Sequence, residues 1–360
     1  MSLLIFLFVL GVLIVVHEFG HFITAKSLGV RVEKFSLGFG PRLFKKKINE
    51  TEYSISAIPL GGYVKLAGDN LEEYQGKNFE YFAQAPGKRF WIIFCGPLLN
   101  YLLGVVVLWF IFIVGYPALT TKIGGLADDL GAKAAGVQVG DTIIAIDNQK
   151  VALWEELQKI IRSKNAQDEV NLSLLRNNQE LTLTVPLKKK EVDDMLGQKQ
   201  VFPLLGIAPD YQASVQLKHG VGESFFLAWK SSWEITTTTY KALWRIASRK
   251  MSVRDSVTGP LGIFVMTSQA AQLGIIPLLH LIAILSLSLA IFNVLPIPIL
   301  DGGHILFLAI EKIRGKTLSV KFERAINQVG FTLIITLALF ATYSDVLRLF
   351  GDKIAQWFTK

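Results

Sequence analysis

Apolar residues are concentrated in four long runs, and the segments between them are more polar. A helix needs about 20 mainly apolar residues to cross a bilayer, so each run predicts a membrane span. The predicted spans cover about 3–26, 90–114, 275–298 and 328–349. The first run lacks a basic start and a small-residue cleavage site, which predicts a permanent helix rather than a secretory signal peptide.

Between the first two spans the pattern changes to alternation of apolar and polar residues. "KFSLGFGPRLF" and "TEYSISAIPLGGYVKLAG" alternate between Gly and Pro positions, which predicts short strands in hairpins over about 30–70. Their apolar content and their place beside the first span predict a membrane-associated β region. Backbone at that depth must be covered by protein or line a wet cavity. This region and the first two spans form an N-terminal membrane half, 1–115.

Residues 116–195 have the pattern of a small α+β domain. "AKAAGVQVGDTIIAIDNQKVALWEELQKIIR" predicts a turn, a strand and an amphipathic helix. "EVNLSLLRNNQELTLTVPL" predicts two strands around an Asn-Asn turn. A linker and an amphipathic helix are predicted over 196–274, before the C-terminal membrane half, 275–360.

The amphipathic helix has aromatic residues spaced by roughly one or two turns: Trp229, Trp233, Tyr240 and Trp244. Aromatic residues beside Lys and Arg are typical of a helix that lies at the membrane interface. A helix packed on the outer domain would show the same pattern. The sequence favours neither interpretation.

Composition agrees with a membrane protein. The chain of 360 residues is 51% hydrophobic and 18% charged, whereas soluble domains are about 25% charged. The net charge of +8 could suggest nucleic acid, but the basic residues flank apolar runs and are explained as a topology signal. We therefore expect a lipid bilayer as partner and no nucleic acid.

Lys and Arg are concentrated in the loops that follow the first and third spans, whereas the N-terminal tail has none. Such loops stay in the cytoplasm, which places the N-terminus and 115–274 outside.

Candidate chemistry begins with "HEFGH" in the first span. His17 and His21 are four residues apart, so on a helix they share one face and can bind one metal ion. In this motif the Glu is a base that takes a proton from water, which assigns that role to Glu18. Ionisable groups inside an apolar helix are costly and indicate function.

A catalytic zinc site usually has three protein ligands, so one is missing. His219 reads as a surface residue, and His280 as an interfacial one. Asp301 and His304 are better placed by depth. His17 lies about 20 Å along its helix from residue 3, and a third span entering from outside reaches a similar depth near residue 300. This places Asp301 near both histidines and leaves His304 as an alternative.

"NVLPIPILDGGH" contains Pro296 and Pro298, which prevent a regular helix and predict an extended segment before Asp301. Such a segment could bind a substrate peptide as an added strand; a simple kink in the span is the other interpretation. Asn293 could hydrogen-bond a substrate, or it could bind neighbouring helices together.

These motifs resemble the site-2 protease family of intramembrane zinc metalloproteases, of the RseP type. "GFGPRL", "IPLGGYVKLAG", "GPLLNYLLG" and "GPLGI" extend the resemblance over nearly the whole chain. By that resemblance His17, His21 and Asp301 would bind one Zn²⁺, Glu18 would activate water, and Asn293 would help to hold substrate. The domain at 116–195 resembles a single extracytoplasmic PDZ domain, which would gate or screen substrates.

The resemblance implies a polytopic α-helical protein of the bacterial cytoplasmic (inner) membrane, with its active site near the cytoplasmic face. Its substrates would be single-span membrane proteins such as anti-sigma factors or remnant signal peptides. A non-enzymatic PDZ-containing adaptor explains the spans but leaves the ionisable residues without a role. A metal transporter should show further ionisable residues in spans two and four, and the sequence has none between Phe90 and Gly115 or between Phe331 and Tyr343.

Overall fold

The computed structural model describes residues 1–165, 168–193, 199–252, 258–316 and 318–358. The chain divides into two compact units. The first contains Met1–Ile111 and Gly222–Lys360, and the second contains Phe112–Val221. The boundary that the sequence pattern suggests between 195 and 196 lies outside the described residues.

Helices dominate the first unit, and the second unit is mostly strands. In the described part of the chain the α-helices are α1 (Ser2–Ser27), α2 (Pro86–Val114), α3 (Gly131–Ala134), α4 (Trp154–Arg162), α5 (Val221–Ala247), α6 (Pro260–Leu273), α7 (Ile275–Val294), α8 (Asp301–Arg314) and α9 (Val320–Phe358). The strands are β1 (Val32–Ile48), β2 (Thr51–Leu66), β3 (Tyr116–Leu119), β4 (Ile123–Leu126), β5 (Thr142–Ile146), β6 (Gln149–Lys150), β7 (Glu169–Arg176), β8 (Gln179–Pro186), β9 (Lys188–Asp193), β10 (Lys199–Leu204), β11 (Ile207–Pro209) and β12 (Ser214–Leu217).

Four helices among the described residues are long and apolar enough to cross a membrane: α1, α2, α7 and the part of α9 over 320–350. They correspond to the four runs of the sequence. The third ends at Val294 rather than near 298, because Leu295 precedes a proline and takes an extended conformation. The fourth begins earlier than 328, because the polar turns before that residue are helical as well.

The region over 30–70 is one long antiparallel hairpin of β1 and β2, rather than several short ones. Bulges interrupt its register, and Gly38 and Gly40 have positive φ there, which the missing Cβ permits. The start of β1 and the end of β2 pack with α1 and α2 in one apolar cluster that includes Phe22, Val32 and Ile92. This packing holds the end of β2 beside α1.

Helix α5 packs alongside α2. Phe225 makes an edge-to-face contact with Trp109, and Trp229 makes one with Tyr101. The Tyr101 hydroxyl also lies 3.2 Å from the Thr236 hydroxyl. Later residues of α5 therefore meet earlier residues of α2, so the two helices run antiparallel beside each other. This packing was not foreseen by either interpretation of the aromatic pattern.

The second unit has a four-stranded antiparallel sheet in the order β6-β5-β7-β8. Helix α4 buries Trp154, Leu157 and Ile161 in its core. The turn between β7 and β8 has positive φ at both Asn177 and Asn178, as a type I′ hairpin turn requires. The strand, helix and hairpin fall where the sequence pattern predicts them.

The second unit continues beyond the predicted domain end at 195. Strand β11 pairs with β4, and β12 pairs with β3. The segment 199–217 was predicted as linker, and that prediction is wrong. Its strands complete sheets that begin at the N-terminal side of the unit, so the unit ends at Val221.

Candidate metal centre

Three metal-ligating side chains converge in the first unit: His17, His21 and Asp301. Their ligand atoms all lie within 4.8 Å of one another. The two Nε2 atoms are 3.2 Å apart, and His17 Nε2 is 3.1 Å from Asp301 Oδ2. His21 Nε2 is 3.6 Å from Asp301 Oδ1. The structure thus brings together the three residues that the sequence selected.

A close crossing of α1 and α2 positions His21. A Cβ on Gly20 would overlap the backbone of Cys95 and Gly96, and a Cβ on Gly96 would overlap the His21 ring. At this crossing His21 Nδ1 lies 2.9 Å from the Ile92 carbonyl oxygen. In a neutral imidazole Nδ1–H then donates to that oxygen, which leaves the Nε2 lone pair directed at the cluster.

Asp301 is positioned by a turn that separates α7 from α8. The Leu300 N–H donates to the Ile297 carbonyl at 3.2 Å, which closes the turn. Pro298 supplies the fixed φ of its first central position, and Ile299 has φ 80° at the second. A β-branched residue rarely adopts positive φ, so the backbone is strained two residues before the ligand.

The extended segment that the sequence predicts before Asp301 is not observed, because residues 297–300 form a turn. The Ile297 N–H donates to the Leu295 carbonyl at 2.7 Å, and Pro296 and Pro298 have no N–H. The segment therefore presents no row of free donors. It folds back on the first turn of α8, where a Cβ on Gly303 would overlap the Ile297 carbonyl.

A cavity of about 540 Å³ surrounds the three residues. Glu18, Asn293, Ile299 and Leu300 line it with them. Pro296 and Pro298 are not part of this lining: Pro296 is exposed, and Pro298 packs beside Gly330 of α9.

Asn293 contributes an amide beside the histidines. Its Nδ2 lies 3.5 Å from both ring nitrogens of His17. Of the three side chains predicted to bind substrate, Asn293 alone is part of the cavity lining within the described ranges.

Glu18 lies between α1 and β2. Val64 of β2 lines the cavity beside it. A Cβ on Gly62 would lie 3.2 Å from Glu18 Cγ, so the glycine permits this strand to pass close to the side chain. The carboxylate is therefore held at the wall of the cavity, next to the histidines but apart from the ligand group.

His304 also lines the cavity, but it does not belong to the group of converging ligands found among the described residues. Its ring makes an edge-to-face contact with Phe307 at 6.0 Å. His219 lies in the second unit, where its ring stacks on Tyr116. The geometry thus favours Asp301 over His304 as third ligand.

The donor set fits a zinc ion. Asp301 Oδ2 is buried and has no hydrogen-bond donor in the described part of the chain. Two imidazole Nε2 atoms face this carboxylate, and their lone pairs would repel it unless a cation or a proton lay between them. Two nitrogens and one carboxylate oxygen, with one position left for water, are the ligands of a catalytic zinc site.

An ion pair occupies another part of the cavity wall. Arg89 of α2 is buried, pairs with Glu311 of α8, and stacks over the rings of Tyr81 and Phe82. This pairing of Arg89 with Glu311 could not be identified from the sequence. Asp69 lines the same cavity, and burial raises the pKa of its carboxyl.

Sequence reasoning also missed Asn100 of α2. Its side chain is fully buried, and its Nδ2 lies 3.4 Å from His17 Nδ1. A carboxamide inside an apolar span was the signal that could have found it. A search restricted to ionisable residues passes over it.

The chain matches the model of peptidase family M50 over residues 5–337. It is 33% identical to a putative zinc metalloprotease of Campylobacter jejuni, over 96% of this chain and 93% of that protein. It is 34% identical to one of Helicobacter pylori, over 94% of this chain and 97% of that protein. It is 30% identical to the zinc metalloprotease RasP of Geobacillus kaustophilus, over 97% of this chain and 98% of that protein.

A solved structure resembles part of the chain. It is the PDZ domain of an SdrC-like protein of Listeria innocua, with 24% identity and a TM-score of 0.21. The match covers 26% of this chain and 94% of that domain. At this score the PDZ-like character of the second unit stays a prediction.

Proposed function

We propose that this chain, which belongs to peptidase family M50 and is a zinc metalloendopeptidase, hydrolyses peptide bonds inside the membrane-spanning segments of other proteins. The observation that carries the proposal is the convergence of His17, His21 and Asp301 at one cavity. Two of these residues lie on α1, a helix apolar and long enough to cross a membrane, and Asp301 follows another, α7. A non-enzymatic adaptor or a metal transporter would not explain why the chain belongs to a peptidase family.

In the proposed mechanism, His17, His21 and Asp301 would hold one Zn²⁺. When bound, it would lower the pKa of water toward 7 and polarise a carbonyl. The protein fixes the two imidazoles through the α1–α2 crossing and the carboxylate through the turn at 297–300. The ligands are thereby held before substrate arrives.

Glu18 acts as general base and then general acid. It takes a proton from the attacking water and passes it to the nitrogen of the leaving amine. Its side chain lines the cavity beside Val64 of β2. Asn293, beside His17, donates from Nδ2 to the carbonyl of the scissile bond or to a neighbouring carbonyl of the substrate.

Pro296 and Pro298 contribute to substrate binding indirectly. Pro298 maintains the turn that places Ile299 and Leu300 on the cavity wall, and Pro296 lies between the end of α7 and that turn. Tyr63 and Val64 of β2 form another part of that wall, where an unwound substrate segment can lie against the hairpin.

The protein is proposed to lie in the bacterial cytoplasmic membrane. The positive-inside rule places the hairpin and the segment between the third and fourth spans in the cytoplasm, and the N-terminus and second unit outside. The cavity is then near the cytoplasmic face, where water can reach it.

The proposed substrates are single-span membrane proteins, such as anti-sigma factors and remnant signal peptides. The second unit, if PDZ-like, would screen them by excluding bulky outer domains. Deletion of the second unit from β3 to β12, residues 116–217, should leave the chemistry intact and widen the range of substrates that are cut. A deletion protein that keeps zinc and cuts nothing would contradict the screening role.

The test of the function is cleavage of a panel of single-span proteins by the purified enzyme in proteoliposomes, with zinc content measured in parallel. We expect cleavage within the apolar segment, and its loss when zinc is removed by a chelator. A zinc-loaded protein that cuts none of the panel, or that cuts only outside the apolar segment, would contradict the proposal.

A further inference from the structure

We propose that Asn100 is a positioning residue for the metal centre, whose side-chain oxygen accepts the Nδ1–H of His17. The inference rests on the proposed zinc site and adds a residue to it. Asn100 lies on α2, four residues after Gly96, on the face of that helix that meets α1.

The neighbours of His17 determine which of its ring nitrogens carries the proton. Its Nε2 points to His21 Nε2 and Asp301 Oδ2, at 3.2 Å and 3.1 Å, so Nε2 is the atom that can ligate a metal. A neutral imidazole that ligates through Nε2 carries its proton on Nδ1. His17 Nδ1–H therefore needs an acceptor in a buried setting, since an unsatisfied buried donor is costly.

Asn100 offers the acceptor that His17 Nδ1–H needs. Asn100 Nδ2 lies 3.4 Å from His17 Nδ1, which sets two donors against each other. Asn100 Oδ1 is buried and has no partner among the described residues. Rotation of the amide by 180° exchanges the two atoms and places the free acceptor at the histidine N–H.

His21 is oriented by an oxygen of the same helix. Its Nδ1 lies 2.9 Å from the Ile92 carbonyl, also on α2. The two histidines are then oriented in the same manner, each by an oxygen of α2 on the side away from the metal. Such an acceptor fixes the tautomer and the ring plane, and raises the basicity of the ligating nitrogen.

The backbone holds Asn100 in place. Ser286 of α7 donates its hydroxyl to the Asn100 carbonyl at 2.7 Å, and the Asn100 side chain is fully buried. The side chain therefore has little freedom to leave His17. Asn293 approaches the same ring only at 3.5 Å, and it also faces the cavity.

The test measures zinc affinity, by competition with a chelator, of the full chain in detergent in an inactive Glu18→Gln background. Asn100→Leu keeps the size and removes the acceptor, and we expect binding about 10- to 100-fold weaker. Asn100→Asp keeps an acceptor oxygen and should bind within a few fold of the parent. The Co²⁺-loaded proteins should show an altered ligand-field spectrum for Asn100→Leu and the parent spectrum for Asn100→Asp.

Ser286→Ala is the matched control, because it removes a buried hydrogen bond to Asn100 but leaves the acceptor. It should keep the parent affinity and spectrum. Equal affinity in Asn100→Leu and the parent would overturn the inference, as would an equal loss in Asn100→Leu and Asn100→Asp. A parent that binds no zinc would instead refute the metal site itself, so the two failures are distinguishable.

Discussion

Gly20 of α1 and Gly96 of α2 face each other where the helices cross, and neither position has room for a Cβ. In a membrane, small residues at a crossing let two backbones approach closely. Here the approach has a chemical consequence, because it sets the His21 ring against the backbone of α2. The crossing thus determines the direction in which a ligand points.

The first prediction concerns this crossing. Gly96→Ala should weaken zinc binding, because its Cβ would overlap the His21 ring and the helices must move apart. Gly11→Ala in α1 is the control, since a Cβ there meets nothing within 4 Å. The zinc that each variant retains after dialysis against a chelator measures its zinc binding. Equal retention would show that the crossing is not needed to orient His21.

The second prediction separates metal binding from proton transfer. Glu18→Gln should keep zinc, because Glu18 is not among the converging ligands of the described chain. It should lower the cleavage rate by roughly 10²–10⁴-fold, the usual contribution of a general base. Cleavage of a single-span substrate and zinc content are measured on one preparation. A zinc-loaded variant with normal cleavage would rule out the proposed base.

The third prediction compares the two candidates for the third ligand. Asp301→Ala should weaken zinc binding by more than the roughly 10- to 100-fold expected for loss of an outer partner. His304→Ala should have a smaller effect, because its ring contacts Phe307 and lies apart from the ligand group. The zinc content of the two variants decides between the two candidate ligands. Full zinc occupancy in Asp301→Ala with loss in His304→Ala would reverse the assignment.

The fourth prediction concerns the buried ion pair. Arg89→Met should lower the free energy of unfolding by about 3–5 kcal/mol, because it leaves the Glu311 carboxylate without its partner. Arg89→Met combined with Glu311→Leu should recover most of that loss, since no charge is then left unpaired. Thermal unfolding in detergent measures the loss of stability in the single and the double variant.

The exposed pair of Arg324 and Glu72 is the control for the buried one. Its removal by Arg324→Met should cost less than about 1 kcal/mol, as is usual for exposed pairs. Equal losses for Arg89→Met and Arg324→Met would mean that burial of Arg89 carries no energetic weight.

The sequence predicted most of the elements that build the site, and physical reasons explain both the successes and the failures. Hydropathy identifies α1, α2 and α7 because a span is a property of local composition. HEFGH places two ligands on one face because the helical repeat is fixed. The depth of Asp301 follows from the helical rise per residue, because the first and third predicted spans both start outside.

What escaped prediction depends on contacts between segments distant in sequence. The Ile92 carbonyl is a backbone atom and leaves no mark on the sequence. The turn at Ile299 has no glycine to signal its positive φ. The aromatic face of α5 is compatible with any apolar neighbour, and only packing identifies that neighbour as Tyr101 and Trp109 of α2.

The fifth prediction is a pH dependence in the second unit. Asp141 accepts from Arg176 Nε at 2.8 Å and Nη2 at 2.7 Å, and from the Gln138 amide at 2.8 Å. The Arg176 hydrogen bonds hold the pKa of Asp141 below its usual value, which is about 3.9. Its contribution to stability is therefore present above about pH 4 and is lost as pH falls through that value toward the folded pKa.

Hydrogen exchange of the amides of 136–146, corrected for intrinsic rates, measures this loss in the full chain. Wild type should lose protection between about pH 4 and the lower pKa of the folded carboxyl. Asp141→Asn should be less protected already at pH 7 and should change less with acid, because it has no carboxylate to protonate. Asp128→Asn is the control: the Asp128 pKa is also lowered, by Lys133, but the pair is exposed. If Asp128→Asn changed protection as much as Asp141→Asn, the effect would reflect the charge of the whole unit rather than the pairing of Asp141 with Arg176.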